Sequence, residues 1–186
     1  QCGGASAVFG ILIRSVPEVI LAANRVLTDA SGHGTHGVTI KRAGLVRIHG
    51  CVVRTTGAAE LVHASGYALR VEFGKASDAH ADIGDNEFEH VAASVVRVTS
   101  VPAERGGSGE VLFDGNRCRT QARDIRVHAV HLQGEAVLAN NNRIETPHRE
   151  YPCLMIESMR YMTIGNILGG TLAPPGPPGL NLENVP

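Results

Sequence analysis

Tryptophan is absent from the 186 residues, and aromatic residues make up only 4% of them. A core without large rings must be filled by Val, Ile, Leu and Ala, and the β-branched members of that set suit pleated strands. Charge of one sign is also missing, since 17 Lys and Arg stand against 18 Asp and Glu. There is no basic block, no interleaving of basic and aromatic residues and no acidic tail, so the electrostatic footprint of a nucleic-acid binder is lacking. The longest strongly apolar run, around Ala7 to Ile13, stops at Arg14 and is too short to cross a bilayer. Cys2, Cys51, Cys118 and Cys153 form no C-x-x-C pair, which argues against a zinc site. They read as free buried thiols, with one disulfide as the alternative. No signal peptide is visible, and a chain that starts at Gln1 without Met reads as a processed protein or an excised part of a longer one.

What is plentiful is glycine, at 22 residues, and a 43% hydrophobic fraction, a mix that suits many short strands joined by tight turns. The stretch "AVLANNNRIETP", Ala136 to Pro147, puts three asparagines where a strand is expected. Asparagine is poor in helices and depleted in strands. Anchoring on Asn142, an apolar or small residue lies five before (Val137), three before (Ala139) and two after (Ile144). The same frame returns with Val19, Leu21, Asn24 and Val26, with Val46, Ile48, Cys51 and Val53, and with Ala81, Ile83, Asn86 and Phe88. It appears again with Val111, Phe113, Asn116 and Cys118, and with Tyr161, Thr163, Asn166 and Leu168. The anchors at 24, 51, 86, 116, 142 and 166 are spaced by 27, 35, 30, 26 and 24 residues, and Cys51 replaces the asparagine in the second. Alternation before each anchor is the mark of a half-buried strand. An asparagine tolerates the bend itself, and equivalent turns that stack let each Asn bond the one above and below. Asn142 is then the ladder residue, and Asn140 and Asn141 face outward.

Further strand-like runs fall between anchors, at 37–43, 67–73, 94–101, 125–132 and 153–159. One repeat therefore holds about three short strands, and the fold expected is all-β: a right-handed parallel β-helix of about six coils with Asn-anchored turns. An antiparallel sandwich, the rival, needs hairpin signals every 8–12 residues, and only "DGN" at 114–116 offers one. From Val19 to about Leu168 the pattern resembles the pectate-lyase-like β-helix superfamily, whose coils commonly carry an Asn at one turn. Residues 1–172 form the expected solenoid, with "SAVFGILIRSV" near the start as a strand pair. Residues 173–186, rich in Pro and Gly, read as a tail, linker or strap across the last coil.

That resemblance implies enzymes acting on acidic polysaccharides, and the residues they need are sparse here. Gly32, His33 and Gly34 match the Gly-His-Gly motif of polygalacturonases, but the closely set aspartates that protonate the glycosidic oxygen and activate water have no counterpart. Pectate lyases hold calcium with several carboxylates, and the densest acidic segment is Asp78, Asp82, Asp85 and Glu87, with Asp114 one coil later and Lys75 as the nearest base. The alternative for these is a solvated polar face. His33 with His36, in a loop, is a candidate chelating pair, whereas His128 and His131 point to opposite faces if their segment is extended. Arg25, Arg117 and Arg143 each follow an anchor Asn and form an expected row along one edge. No catalytic, cofactor or metal residue is therefore assigned. The function expected is a non-catalytic structural or adhesive solenoid module of a larger extracellular, surface or phage-tail-like assembly. The alternatives are a polysaccharide lyase or hydrolase, or a sugar-binding module. Expected partners are further domains or other chains docking on the solenoid ends, further copies of the chain, or polysaccharide. Nucleic acid and a membrane span are not expected.

Overall fold

The computed structural model describes residues 8–29, 35–57, 66–74, 79–91, 93–99, 109–122, 128–147, 152–169, 171–173 and 180–182. Among these every element is a strand. The first coil holds β1 (Val8–Arg14), β2 (Glu18–Ala22) and β3 (Arg25–Asp29), and the second β4 (Thr35–Ala43), β5 (Leu45–His49) and β6 (Val52–Thr56). The third holds β7 (Tyr67–Phe73), β8 (Ala79–Gly84) and β9 (Glu87–His90), and the fourth β10 (Val96–Thr99), β11 (Gly109–Asp114) and β12 (Arg117–Thr120). The fifth holds β13 (Val130–Gln133), β14 (Ala136–Asn140) and β15 (Arg143–Glu145), and the sixth β16 (Pro152–Glu157), β17 (Arg160–Ile164) and β18 (Ile167–Leu168). Two strands begin a seventh, β19 (Thr171–Ala173) and β20 (Leu180–Leu182).

Each strand pairs with the strand three places on, so three parallel sheets wrap one core: sheet A from β1 to β19, sheet B from β2 to β20, and sheet C from β3 to β18. The chain is a parallel β-solenoid, and the antiparallel sandwich is excluded. The coil count agrees with about six. The expected strands at Val19–Leu21, Ile83, Val111–Phe113 and Val137–Ala139 lie in register, with Val19 beside Val46, then Ala81, Val111 and Val137. Two expectations shift. Of the 125–132 run, residues 125–127 lie outside the described residues and the rest contains β13, starting at Val130, and the first run is a single described strand, β1, where a pair was expected. Within the Pro/Gly-rich stretch, Leu180–Leu182 joins sheet B beside β17.

Alternation fills the interior. Ile48, Ile83 and Phe113 stack as one inward row of sheet B, and Val53, Phe88, Cys118 and Ile144 as one of sheet C, all fully buried. Burial of each such large side chain stabilises the fold by about 1.5–3 kcal/mol. Phe113 finds room because its neighbour in the next coil is Ala139. Leu21 and Ile13, inward in the first coil, are only half-buried, because no strand among the described residues pairs with one side of that coil.

The asparagine ladder runs along the corner between sheets B and C. Asn86 Nδ2 donates to Asn116 Oδ1 (2.9 Å), Asn116 Nδ2 to Asn142 Oδ1 (3.1 Å), and Asn142 Nδ2 to Asn166 Oδ1 (2.9 Å). Each Nδ2 also reaches back to a carbonyl of the preceding coil: Ile48, Ile83, Phe113 and Ala139 in turn. The left-handed bend is taken by the residue before each anchor: Ala23, Gly50, Asp85, Gly115, Asn141 and Gly165 all have φ between 53° and 65°. Asn141 is thus there for its tolerance of that region and Asn142 for its amide. Asn141 is exposed, as expected, while Asn140, the last residue of β14, is half-buried.

Asn24 is the exception. It is exposed, and its Nδ2 bonds Ala22 O of its own strand. Cys51 occupies the ladder position in coil two: its N–H donates to Asn86 Oδ1 (2.8 Å), and its Sγ lies 3.6 Å from Leu21 O, a weak bond. Cys51→Asn should therefore extend the ladder by one coil, with Nδ2 positioned for Leu21 O and Asn86 Oδ1. The expected result is a higher denaturant midpoint, worth about 1–2 kcal/mol. A lower midpoint would mean that the second coil has no space for a carboxamide.

Candidate functional site

Polar side chains that are buried yet point away from the core are concentrated on the outer face of sheet A. Phe9, His36 and Tyr67 stand side by side on β1, β4 and β7. The Phe9 and His36 rings stack with centroids 4.9 Å apart and planes 9° from parallel, and Tyr67 follows at 5.8 Å. The next outward row reads Thr39, Arg70, Arg97 and His131. Arg97 Nη1 donates to Tyr67 Oη (2.9 Å), and both guanidinium groups lie within 6 Å of the Tyr67 ring, at 5.6 and 5.9 Å. Arg70 is hydrogen-bonded to Glu72, which Lys41 Nζ approaches at 3.6 Å. Arg70 and Lys41 thus share one carboxylate, while Arg97 is held on the Tyr67 ring. Among the described residues, His36 Nδ1, Thr39 Oγ1 and Arg70 Nε are buried without a hydrogen-bond partner. A buried polar atom left unpaired costs about 1–3 kcal/mol, and anions are the ligands a cationic site of this kind accepts.

The electrostatics of this face carry a pH dependence. Burial, and then the neighbouring basic groups Arg70, His90 and Lys41, hold the His36 pKa down at about 4 from 6.5. His90 is lowered mainly by burial. Its Nδ1 accepts from Ala93 N–H (2.9 Å) and its Nε2 faces Thr35 O (3.2 Å), an arrangement that suits the neutral ring. His131 is lowered as well, by burial against the opposing pull of Glu157. Folded pKa values below the unfolded value mean that the unfolded chain takes up protons first as pH falls. Stability is complete above about 6.5 and is lost on the way down to about 4. His36 accounts for about 1–2 kcal/mol of that loss, discounted for solvent at the sheet edge. Thermal melts between these pH values should show a falling midpoint, and His36→Phe, which keeps the ring stack, should flatten the fall. An unchanged slope in that variant would remove His36 from the account.

The sequence-derived candidates are dispersed. His36 lies on a strand, where a loop was expected, and is engaged in the ring stack; His33, Asp78 and Lys75 fall outside the described residues. The acidic segment is split by its own turn. Asp82 faces out from sheet B and pairs with His49 (3.2 Å), Asp85 sits exposed at the corner, and Glu87 faces out from sheet C against Arg54 (2.6 Å). Asp114 is on an adjacent strand of sheet B, bonded by Asn141 Nδ2 (3.1 Å). His131 Nε2 lies 3.3 Å from Glu157, while His128 precedes β13 and places Nδ1 2.8 Å from Pro152 O. No group of three or more His, Cys, Asp or Glu side chains among the described residues is placed to hold a metal ion.

The expected arginine row is broken. Arg25, Val52, Glu87, Arg117, Arg143 and Ile167 are successive neighbours on sheet C. Arg117, Arg119 and Arg143 converge on Glu145 at 3.9, 3.8 and 2.6 Å. Cys51 and Cys118 are free thiols, Cys153 is buried like them, and burial pushes the Cys118 thiol well above its ordinary range, so it is unreactive. The Tyr67, Arg70 and Arg97 group was missed because its parts come from coils 30 residues apart. Only the register of the solenoid brings them together. No protein-family model, curated protein or solved structure matches the chain.

Proposed function

We propose that the chain is a non-catalytic structural or adhesive module of the pectate-lyase-like kind, within a larger extracellular, surface or phage-tail-like assembly. The observation that carries this reading is the pairing of outward carboxylates. Glu72, Asp82, Glu87, Glu145 and Glu157 each stand beside a basic side chain on the same or an adjacent strand. Hydrolysis of a glycosidic bond needs two carboxyl groups facing a shared space about 5–10 Å wide, and a lyase needs a cation with a nearby base. Carboxylates engaged by neighbouring basic side chains act instead as cross-strand ties between coils.

The sheet A face favours a second reading, a sugar-binding module without turnover. Its cations and unpaired polar atoms fit an acidic saccharide, held by carboxylate–guanidinium bonds. One experiment separates the readings from an enzyme. The protein is incubated with polygalacturonate and with neutral glucans, with and without calcium, while unsaturated products and reducing ends are followed. No turnover is expected. Turnover abolished by Asp85→Asn would overthrow both readings in favour of a lyase or hydrolase. Retention of polygalacturonate that Arg97→Ala abolishes would favour the binding module.

A further inference from the structure

The outer face of sheet B changes character along its length. Through coils two and three it carries Arg47, His49, His80 and Asp82. From coil four its middle row is apolar: Leu112, Leu138 and Met162 are neighbours on β11, β14 and β17, with Ala136 and Ile164 in the flanking rows. A recess of about 440 Å³ lies over Leu112, Ala136, Leu138, Tyr161 and Met162. An apolar patch with a polar rim is the usual form of an interaction surface.

The rim is arranged in a particular way. Glu110 and Arg160 lie in the same row, one strand to either side of Ala136; their side chains are 65% and 66% exposed, Glu110 Oε2 lies 3.8 Å from His80 Nδ1, and Arg160 Nη2 lies 3.0 Å from Glu135 Oε1, contacts at the rim that a partner charge can join. Asn140 stands in the third row, on the same strand as Ala136. From these features we propose that this face docks a second copy of the chain across a two-fold axis running along β14.

Rotation about an axis parallel to the strands keeps each row opposite itself and reverses the order of the strands. Glu110 then faces Arg160 of the partner subunit, and Arg160 faces Glu110 of the partner subunit. Leu112 meets Met162 of the partner subunit, and Leu138 meets its own equivalent. On the axis, the Asn140 side chain meets its twin. Asp114 falls at the rim, where it keeps its bond from Asn141 Nδ2 (3.1 Å). The other two-fold arrangement, with its axis along the solenoid, keeps each strand opposite itself and reverses the rows. It sets Glu110 against Asp114 of the partner subunit, and like charges in contact disfavour it. Three strands by five residues cover about 250 Å² of plan area per copy. A standard interface buries about 800 Å² per partner, so the association is weak, of order 100 μM.

The test is sedimentation equilibrium of the whole chain at concentrations on either side of about 0.1 mM, the range set by the interface size. A monomer–dimer equilibrium is expected. Glu110→Arg and Arg160→Glu should each weaken it by about tenfold or more, because each creates two repulsive contacts per dimer. The Glu110→Arg/Arg160→Glu double variant restores complementarity with the signs exchanged and should dimerise like the parent. Leu138→Lys should be monomeric, and far-UV spectra check that all four remain folded. A chain that is monomeric throughout overturns the proposal, as do single charge variants without effect or a double variant that fails to recover. Stronger association of Glu110→Arg would point to the axis along the solenoid and overturn it equally. None of these residues lies on sheet A, so the outcome is separate from any saccharide binding there.

Discussion

Replacing Asn116 with alanine lowers the unfolding free energy by about 3–5 kcal/mol, whereas Asn140→Ala changes it by about 0.5 kcal/mol or less. Asn116 is 1% exposed, and its side chain serves three neighbours at once. Its Oδ1 accepts from Asn86 N–H (3.1 Å) and from Asn86 Nδ2 (2.9 Å), and its Nδ2 donates to Ile83 O (2.8 Å) and Asn142 Oδ1 (3.1 Å). Alanine strands the Asn86 backbone donor in a place no water reaches, and it leaves a cavity between two coils. Each orphaned group costs about 1–3 kcal/mol, and at least two are left. Asn140 is equally an asparagine and lies only two residues before Asn142, the next rung of the ladder, yet its Oδ1 has no partner to lose. Urea titrations of both variants at low protein concentration make the comparison. Similar midpoints would remove the ladder from its structural role.

Gly37→Ala is expected to cost about 2–4 kcal/mol, for a reason of volume. At Gly37 the backbone of β4 points its α-hydrogen into the core. A methyl group there would sit 2.4 Å from Val53 Cγ1 and 2.6 Å from Ala68 O. The valine belongs to sheet C and the carbonyl to the adjacent strand of sheet A, so relief requires two sheets to move apart. Gly10, one coil earlier, is similarly confined by Val26 Cγ1 at 2.7 Å. In coil three the corresponding residue is Ala68, fully buried. The methyl is therefore tolerated at that level of the solenoid and excluded below it. A midpoint unchanged in Gly37→Ala would show that the second coil can widen.

The repeat was readable because a solenoid writes its tertiary contacts into its period. Inward residues five and three before each anchor, and two after, must face the same core in every coil, and so Val111, Phe113 and Cys118 align with Val137, Ala139 and Ile144 in the sequence itself. The anchors were readable for the same reason, since a buried amide is best satisfied by a copy of itself one coil away. The left-handed residue was harder to place. Ala23, Gly50, Asp85, Gly115, Asn141 and Gly165 share a conformation but no side-chain type, because that position faces solvent and only its φ is constrained. Asn24 matches the frame by residue type, yet it lies outside the ladder because its would-be partner in coil two is a thiol.

By itself, the sequence determined that this is an all-β repeat with an asparagine corner, that its core is aliphatic, and that the acidic segment from Asp78 to Glu87 straddles a turn. Tertiary structure alone decided which outward residues meet. Sequence separations of 24 to 35 residues between successive anchors vary with loop length, and a single added residue exchanges the two faces of a strand. The stacking of Phe9, His36 and Tyr67, the gathering of Arg70 and Arg97 on one ring, and the line from Glu110 through Ala136 to Arg160 all depend on that register. It is set by hydrogen bonds between coils and by the fit of the core, neither of which a local stretch of sequence contains.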